Sequence, residues 1–203
     1  MLRLVKGFYL LIALLIGIMI VMKSIDYFTP DFNQGFLMGK SEIFSLYKPF
    51  LYAHIIGAPI AFLTGLFQFT FNKSNIHKPV GIVYVASILL MAGPGGLLMS
   101  FYALGGIVSI VNFLILSLLW LIFTGLAFYY ALEKKFVQHR SMMIRSFILT
   151  NSAILIRILS FANHQLEVVG TELSYIIISW VSWLPSLLAY EVWRIWKKLA
   201  KPT

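Results

Sequence analysis

Apolar residues form long uninterrupted runs along this chain, and short clusters of polar and charged residues separate them. Six runs approach or exceed the roughly 20 residues that an α-helix needs to cross the hydrocarbon core of a bilayer. They cover about 7–24, 49–72, 79–101, 107–132, 141–162 and 173–193. This pattern predicts an all-α fold: a polytopic membrane bundle of about six transmembrane helices, forming a single membrane domain over 1–203.

Composition supports the membrane interpretation. Hydrophobic residues make up 60% of the chain and charged residues only 11%, whereas soluble domains carry roughly 25% charged residues. The net charge of +9 could indicate a nucleic-acid partner, but the bases lie in short clusters between apolar runs. We therefore expect the lipid bilayer to be the partner and expect no nucleic acid. The chain has no cysteine, which excludes disulfides and thiolate ligands.

The basic clusters predict the orientation. Twelve of the 16 Lys and Arg residues lie at the N-terminus, near 73–78, within 134–145 and within 194–201, in alternate inter-helix segments. The opposite face holds five of the seven acids. Because basic segments stay in the cytoplasm, we predict a multi-pass protein of the cell membrane with cytoplasmic N- and C-termini.

Two of the apolar segments carry a stripe of small and polar residues at helical spacing. In 49–72 the stripe comprises His54, Ala58, Ala61, Gly65, Gln68 and Asn72. In 141–162 and its flanks it comprises His139, Met143, Ser146, Thr150, Ala153, Arg157, Ser160 and His164. The simplest interpretation is that these stripes are packing faces, because small residues let membrane helices approach closely.

Packing alone does not account for Arg157 and His54, which lie at similar depths in the outer half of their segments. A charged side chain in a bilayer must snorkel to the surface or face protein, water or an anion. If the two stripes face each other, His54, Arg157 and His164 converge near the outer face. Such a site would hold a small anionic or lipid ligand, with Gln68 as a further candidate on the same stripe.

The remaining histidines lie at the opposite face. His77 precedes the third segment and His139 precedes the fifth, where Arg140 and Arg145 flank it. All four histidines of the chain therefore lie near a membrane face, two on each side. A single loop histidine is usually solvated, but this distribution makes His54, His164, His77 and His139 candidate ligands of haem iron.

Two further sequence features bear on function. The stretch Ala92-Gly93-Pro94-Gly95-Gly96 predicts a kink or a break in the third segment. There is no paired-carboxylate motif, no His-Glu-x-x-His and no phosphate loop. Whether the protein is an enzyme stays open on these grounds.

Several motifs together resemble a known family. They include His54-x-x-Gly57, Gly65-Leu66-Phe67-Gln68-Phe69, His77-Lys78-Pro79-Val80-Gly81 and His139-Arg140-Ser141-Met142-Met143, followed by Arg157. This set, from about Tyr52 to Arg157, resembles the bacterial integral membrane proteins of domain-of-unknown-function family 2306 (DUF2306). The resemblance implies a multi-pass protein of the bacterial inner membrane and implies no particular activity.

The placement of the histidines also resembles that in another class of membrane proteins. Diheme b-type cytochromes also place histidine pairs near both membrane faces, and His77-x-x-x-Gly81 is similar to an element at the start of one of their helices. The first functional hypothesis is therefore a b-type haem-binding or quinone-linked electron-transfer protein. His54 with His164 would bind an outer haem and His77 with His139 an inner one, while arginine paired with the propionates.

Two alternatives belong to other functional classes. One is a carrier that binds a small molecule, a quinone or a lipid through Arg157 and His54. The other is a non-catalytic structural or assembly subunit whose polar stripes only pack. An absorbance spectrum of the purified protein separates the haem hypothesis from both.

Overall fold

The computed structural model describes residues 11, 14–19, 21–22, 24–33, 37–70, 75–166 and 170–200. This part of the chain is mainly helical and contains no β-strand, so the predicted all-α membrane fold class is confirmed. In chain order the helices are α1 (Phe44–Thr70), α2 (His77–Ser87), α3 (Gly93–Ser100), α4 (Gly106–Leu132), α5 (Phe136–Leu166), α6 (Thr171–Val181) and α7 (Leu184–Leu199). A short 3-10 helix, Asp26–Phe28, precedes them.

Five stretches of the described residues are long and apolar enough to cross a membrane. Three are α1, α4 and α5; the others are His77–Ser100, which joins α2 to α3, and Leu173–Leu199, which joins α6 to α7. They correspond to the second to sixth predicted segments. The first segment, 7–24, lies partly outside the described residues, and residues 14–19 within it are helical.

Several helices extend beyond the apolar runs that predicted them. Helix α5 has 31 residues, so it is about 46 Å long at 1.5 Å per residue, whereas the hydrocarbon core is about 30 Å thick. The polar residues at its ends therefore continue the helix outside the apolar layer. Its boundary with α4 is a short turn in which Lys134 adopts a φ of 57°.

The chain divides into two compact units, Met1–Met99 and Ser100–Thr203. In the first, α1 packs against α2 and the residues that follow it, with Tyr47, Leu51, Tyr84 and Ile88 buried. In the second, α5 packs against α4, α6 and α7. The single membrane domain over 1–203 stays a prediction.

In the first unit, the predicted break near Pro94 is a π-helical turn, Ile88–Ala92, after which the helix continues. The Gly93 amide donates to the carbonyl of Ile88, five residues earlier. Proline has no N–H and its ring crowds the carbonyl four residues before it. A wider turn placed just before Pro94 absorbs this mismatch without ending the helix.

Two glycines bring α1 close to this turn. A Cβ atom on Gly57 would lie 2.8 Å from the Met91 Cβ and 2.9 Å from the Ala92 amide nitrogen. One on Gly95 would lie 2.6 Å from the Phe50 carbonyl oxygen. Only glycine allows the two backbones to approach this closely.

In the second unit, polar side chains join α4 to α5. Trp120 Nε1 donates to Thr150 Oγ1 at 3.0 Å, and the hydroxyls of Thr124 and Ser146 lie 2.7 Å apart. All four side chains are buried. The polar stripe predicted on the fifth segment therefore packs against α4 over Ser146 and Thr150.

Helix α4 also bonds to the turn between α6 and α7. Trp183 lies in this turn, is buried, and donates through Nε1 to Asn112 Oδ1 at 2.9 Å. The helix is interrupted at Ser182 and Trp183, and Pro185 lies in the first turn of α7. Proline is well tolerated at that position because the first helical amides have no intrahelical acceptor.

Candidate functional site

His54 faces the π-helical turn of its own unit. Its Nδ1 atom lies 2.8 Å from the Ala92 carbonyl oxygen, and the ring is half-buried. A carbonyl oxygen can only accept, so Nδ1 carries the proton and the neutral ring has its lone pair on Nε2. The close approach of Gly95, whose added Cβ would lie 3.1 Å from the His54 Cβ, fixes the start of the side chain.

His139, near the start of α5, has a similar arrangement. Its Nδ1 atom lies 2.8 Å from the carbonyl oxygen of Ala127 on α4, and the ring is half-buried. The same reasoning makes Nδ1 the donor of this hydrogen bond. Two of the four candidate haem ligands therefore donate Nδ1–H to a main-chain carbonyl of the adjacent helix.

Gln68 and His77 meet at the other end of α1. The Gln68 side chain is buried, and its Nε2 donates to the carbonyl oxygen of His77 at 2.6 Å. Gly81, one turn along α2, leaves room for the Gln68 amide, which lies 3.5 Å from the position of an added Cβ. Gln68 thus anchors the first residue of α2.

Arg145 is buried among partners from α5 and α7. Its Nε and Nη2 donate to the two carboxylate oxygens of Glu191 at 2.6 and 2.8 Å, and its Nη1 donates to Ser141 Oγ at 2.7 Å. The guanidinium also lies over the rings of Phe123 and Tyr190. Arg140 lies five residues earlier and is exposed.

Arg157 and His164 share one exposed face near the end of α5. They are seven residues apart, which is about two helical turns or 10 Å along the axis. The Arg157 guanidinium donates through Nη1 to the Ala153 carbonyl at 2.9 Å. His164 lies in the last turn, where the helix dipole favours positive charge.

An open depression of about 200 Å³ lies on another face of α5, since its lining residues Leu159 and Ala162 are turned more than about 100° away from Arg157 around the helix. It is formed between the last turns of α5 and the first turns of α6, and its wall is mainly apolar. The residues lining it include Leu159, Ala162, Asn163, Ser174, Ile177 and Ile178. The dimensions and lining suit part of a hydrocarbon or isoprenoid chain.

Within each unit, the predicted residues are separated along a single helix and lie towards its two ends. In the first unit, His54 is 14 residues from Gln68 along α1, about 21 Å at 1.5 Å per residue, so the two lie at opposite ends. In the second, Arg145 and Arg157 are separated by 12 residues, about 18 Å. Both predicted histidine pairs, and the grouping of His54 with Arg157 and His164, combine residues of different units and stay predictions.

A conventional metal cluster is absent from the described residues, because none of their His, Cys, Asp and Glu side chains form a group of three that could hold an ion. Haem differs in this respect, since its iron takes four ligands from the porphyrin and at most two from the protein.

Sequence reasoning missed Glu191 and the buried pair Ser109 and Asn112. Glu191 is the one acid within the predicted segment 173–193, and Arg145 is the first base within 141–162, which was the available signal. Ser109 and Asn112 are three residues apart in an otherwise apolar run, so helical spacing could have marked them as one polar spot.

Comparison with known proteins supports the assignment made from the motifs. A family model described as predicted membrane protein (DUF2306) matches residues 51–194, from within α1 to within α7. No curated protein and no solved structure matches the chain. The resemblance predicted from the sequence motifs is therefore confirmed. This multi-pass membrane chain belongs to the DUF2306 family of predicted membrane proteins.

Proposed function

We propose that the protein binds b-type haem in the bacterial inner membrane and takes part in electron transfer, with His54 as an axial ligand of one haem and His139 as an axial ligand of another. The observation that carries the proposal is the shared Nδ1–H bond to a main-chain carbonyl, 2.8 Å in each case. Histidines that bind metals typically donate their other ring nitrogen in this way, which fixes the tautomer and the ring orientation.

Exposed arginine side chains suit the haem propionates. Arg140 is adjacent to His139, so it is available to an anionic group at that end of α5. Arg157, seven residues before His164 on α5, offers a second cationic position. Arginine pairs well with carboxylates because its planar guanidinium can donate two parallel hydrogen bonds. His77 and His164 complete the set of proposed iron ligands.

The test separates iron binding from hydrogen bonding. His54→Asn and His139→Asn each keep an N–H donor near the position of Nδ1 while removing Nε2. A dithionite-reduced minus oxidised spectrum of the purified wild-type protein should show b-type bands, and each variant should weaken them without loss of folded yield. A colourless wild-type preparation from haem-replete cells contradicts the proposal.

The proposed orientation places both termini in the cytoplasm. The basic segments that support it include the α4–α5 turn and the end of α7. Reporter fusions after Lys201 and within 75–78 should behave as cytoplasmic, and a fusion within 31–40 as external. A tail fusion that reports external would overturn this topology.

The apolar depression between α5 and α6 favours a second candidate function. A carrier or binding protein could place the chain of a quinone or lipid there, with the polar or anionic head directed towards the end of α5, where Arg157 and His164 are exposed. In that case the protein is colourless, and Arg157→Gln reduces the amount of a co-purifying amphiphile detected by mass spectrometry. Ile122→Ala, on an exposed part of α4, is a control that leaves that amount unchanged.

A further inference from the structure

We infer that one end of the second unit binds the headgroups of anionic phospholipids. Bases of the α4–α5 turn and of the end of α7 lie at this end. Ser141 and Arg145 of α5 contact Tyr190 and Glu191 of α7, which brings the first half of α5 beside the middle of α7. We call Lys134, Arg140, Lys197 and Lys198 the basic end.

Ion pairing within the protein leaves this end strongly positive. The two nearby acids are both engaged, since Glu133 pairs with Lys135 at 3.6 Å and Glu191 pairs with Arg145 and Arg194. The four residues of the basic end form no ion pair with any of the described residues. All four are exposed. An anionic partner would neutralise charge that the chain itself leaves uncompensated.

The surrounding surface identifies that partner as a lipid. On the last turns of α7, Trp193, Ile195, Trp196 and Leu199 are exposed beside the bases. Lys197 Nζ lies 4.9 Å from the centre of the Trp193 ring, which combines a cation with an aromatic face. Tryptophan is enriched at the level of lipid headgroups, and Lys and Arg side chains reach from there towards phosphates.

The membrane position of the helices agrees with this assignment. Helix α7 ends at Leu199, at the end of a stretch long and apolar enough to cross a membrane. Its exposed apolar residues can enter the acyl region while its bases stay at the surface. A free anion or a nucleic acid would not need the two exposed tryptophans, whereas a phospholipid uses both the charge and the apolar face.

The experiment measures lipid selectivity with the full chain reconstituted in defined bilayers. Tryptophan quenching by brominated phosphatidylglycerol and brominated phosphatidylcholine gives the relative affinity of the two lipids. We expect the wild-type protein to prefer phosphatidylglycerol, and the preference to fall by about fivefold for each basic side chain removed in Arg140→Gln and in Lys197→Gln/Lys198→Gln. Raising the salt concentration should reduce it as well.

Two control variants make the outcome specific. Lys197→Arg/Lys198→Arg keeps the charge and should retain the preference, while Lys48→Gln removes an exposed base at the start of α1 and should leave it unchanged. Equal quenching by the two lipids in the wild-type protein would overturn the inference. So would a loss of preference in Lys48→Gln as large as that in the α7 variant, because the effect would then reflect net charge alone.

Discussion

Arg145 donates two parallel hydrogen bonds to Glu191: Nε lies 2.6 Å from Oε1 and Nη2 lies 2.8 Å from Oε2. The Arg145 side chain is only 8% exposed, whereas that of Glu191 is 34% exposed. The pair joins the first half of α5 to the middle of α7. A buried guanidinium held in this way fixes the relative register of the two helices.

Removing this guanidinium should destabilise the protein strongly. We expect Arg145→Met to lower the free energy of unfolding by about 3 kcal/mol, because it breaks a largely buried pair. Arg194→Met, which removes the exposed partner of the same carboxylate, should cost less than about 1 kcal/mol. Unfolding in detergent micelles, followed by circular dichroism, measures both. Equal losses of unfolding free energy in the two variants would mean that the buried ion pair stabilises the protein no more than the exposed one.

Gly95 should not tolerate even a methyl group. In Gly95→Ala the new Cβ would meet the Phe50 carbonyl oxygen at 2.6 Å, and this is a main-chain atom that cannot rotate away. We expect a loss of about 1–3 kcal/mol in the free energy of unfolding. Gly125→Ala is the matched control, since nothing lies within 4 Å of its added Cβ. Alanine there should be neutral or stabilising by up to about 1 kcal/mol.

Two buried serines, Ser146 on α5 and Ser109 on α4, should respond differently to alanine. Ser146 Oγ bonds to Thr124 Oγ1, so Ser146→Ala should cost about 1 kcal/mol of unfolding free energy. Ser109 Oγ is buried without a hydrogen-bond partner in the described part of the chain. Ser109→Ala therefore removes a desolvated hydroxyl and should be neutral or stabilising in thermal unfolding. A marked loss in Ser109→Ala would instead identify a bound water at this hydroxyl and the nearby Asn112 Nδ2.

Lys40 should make stability depend on pH at alkaline values. It precedes α1, outside the membrane-spanning helices, and burial lowers its pKa from the ordinary value of 10.5. Between the lowered pKa and 10.5 the folded chain binds fewer protons than the unfolded chain, so the free energy of unfolding rises with pH across that interval. Lys40→Met should abolish this rise, and the exposed Lys48→Met should retain it. A rise that persists in Lys40→Met would assign it to another group.

Hydrophobic run length was sufficient to predict the spans that the structure describes, because a bilayer sets the number of apolar residues a helix needs. Helix ends were harder to predict. Helix α5 starts at Phe136 rather than near Ser141, because polar residues such as Gln138 and His139 continue a helix once it emerges from the apolar layer. The π-helical turn before Pro94 could not be predicted either, because it is a change of backbone hydrogen-bond partner and has no signature in the amino-acid composition.

Sequence reasoning identified some of the candidate residues but not their contacts. Polar side chains in apolar runs stand out, which is why His54 and Gln68 were selected. Their contacts could not be predicted, because a main-chain carbonyl such as that of Ala92 or His77 has no residue-type signature. The pairing of Arg145 with Glu191 depends on how α5 packs against α7, and 46 residues of sequence separate the two side chains.

The π-helical turn of Ile88–Ala92 has a consequence for chain length in this region. The turn closes on the fifth residue rather than the fourth, so it holds one residue more than an α-helical turn, and the helix beyond it keeps its direction. Deleting a single residue between 88 and 92 should therefore restore a regular α-helical turn and leave Gly95 against Phe50 and His54. The same deletion elsewhere in α2 or α3 has no wide turn to absorb it and would rotate the residues beyond it by about 100°. Relatives that lack one residue in this stretch should therefore lack it within this turn.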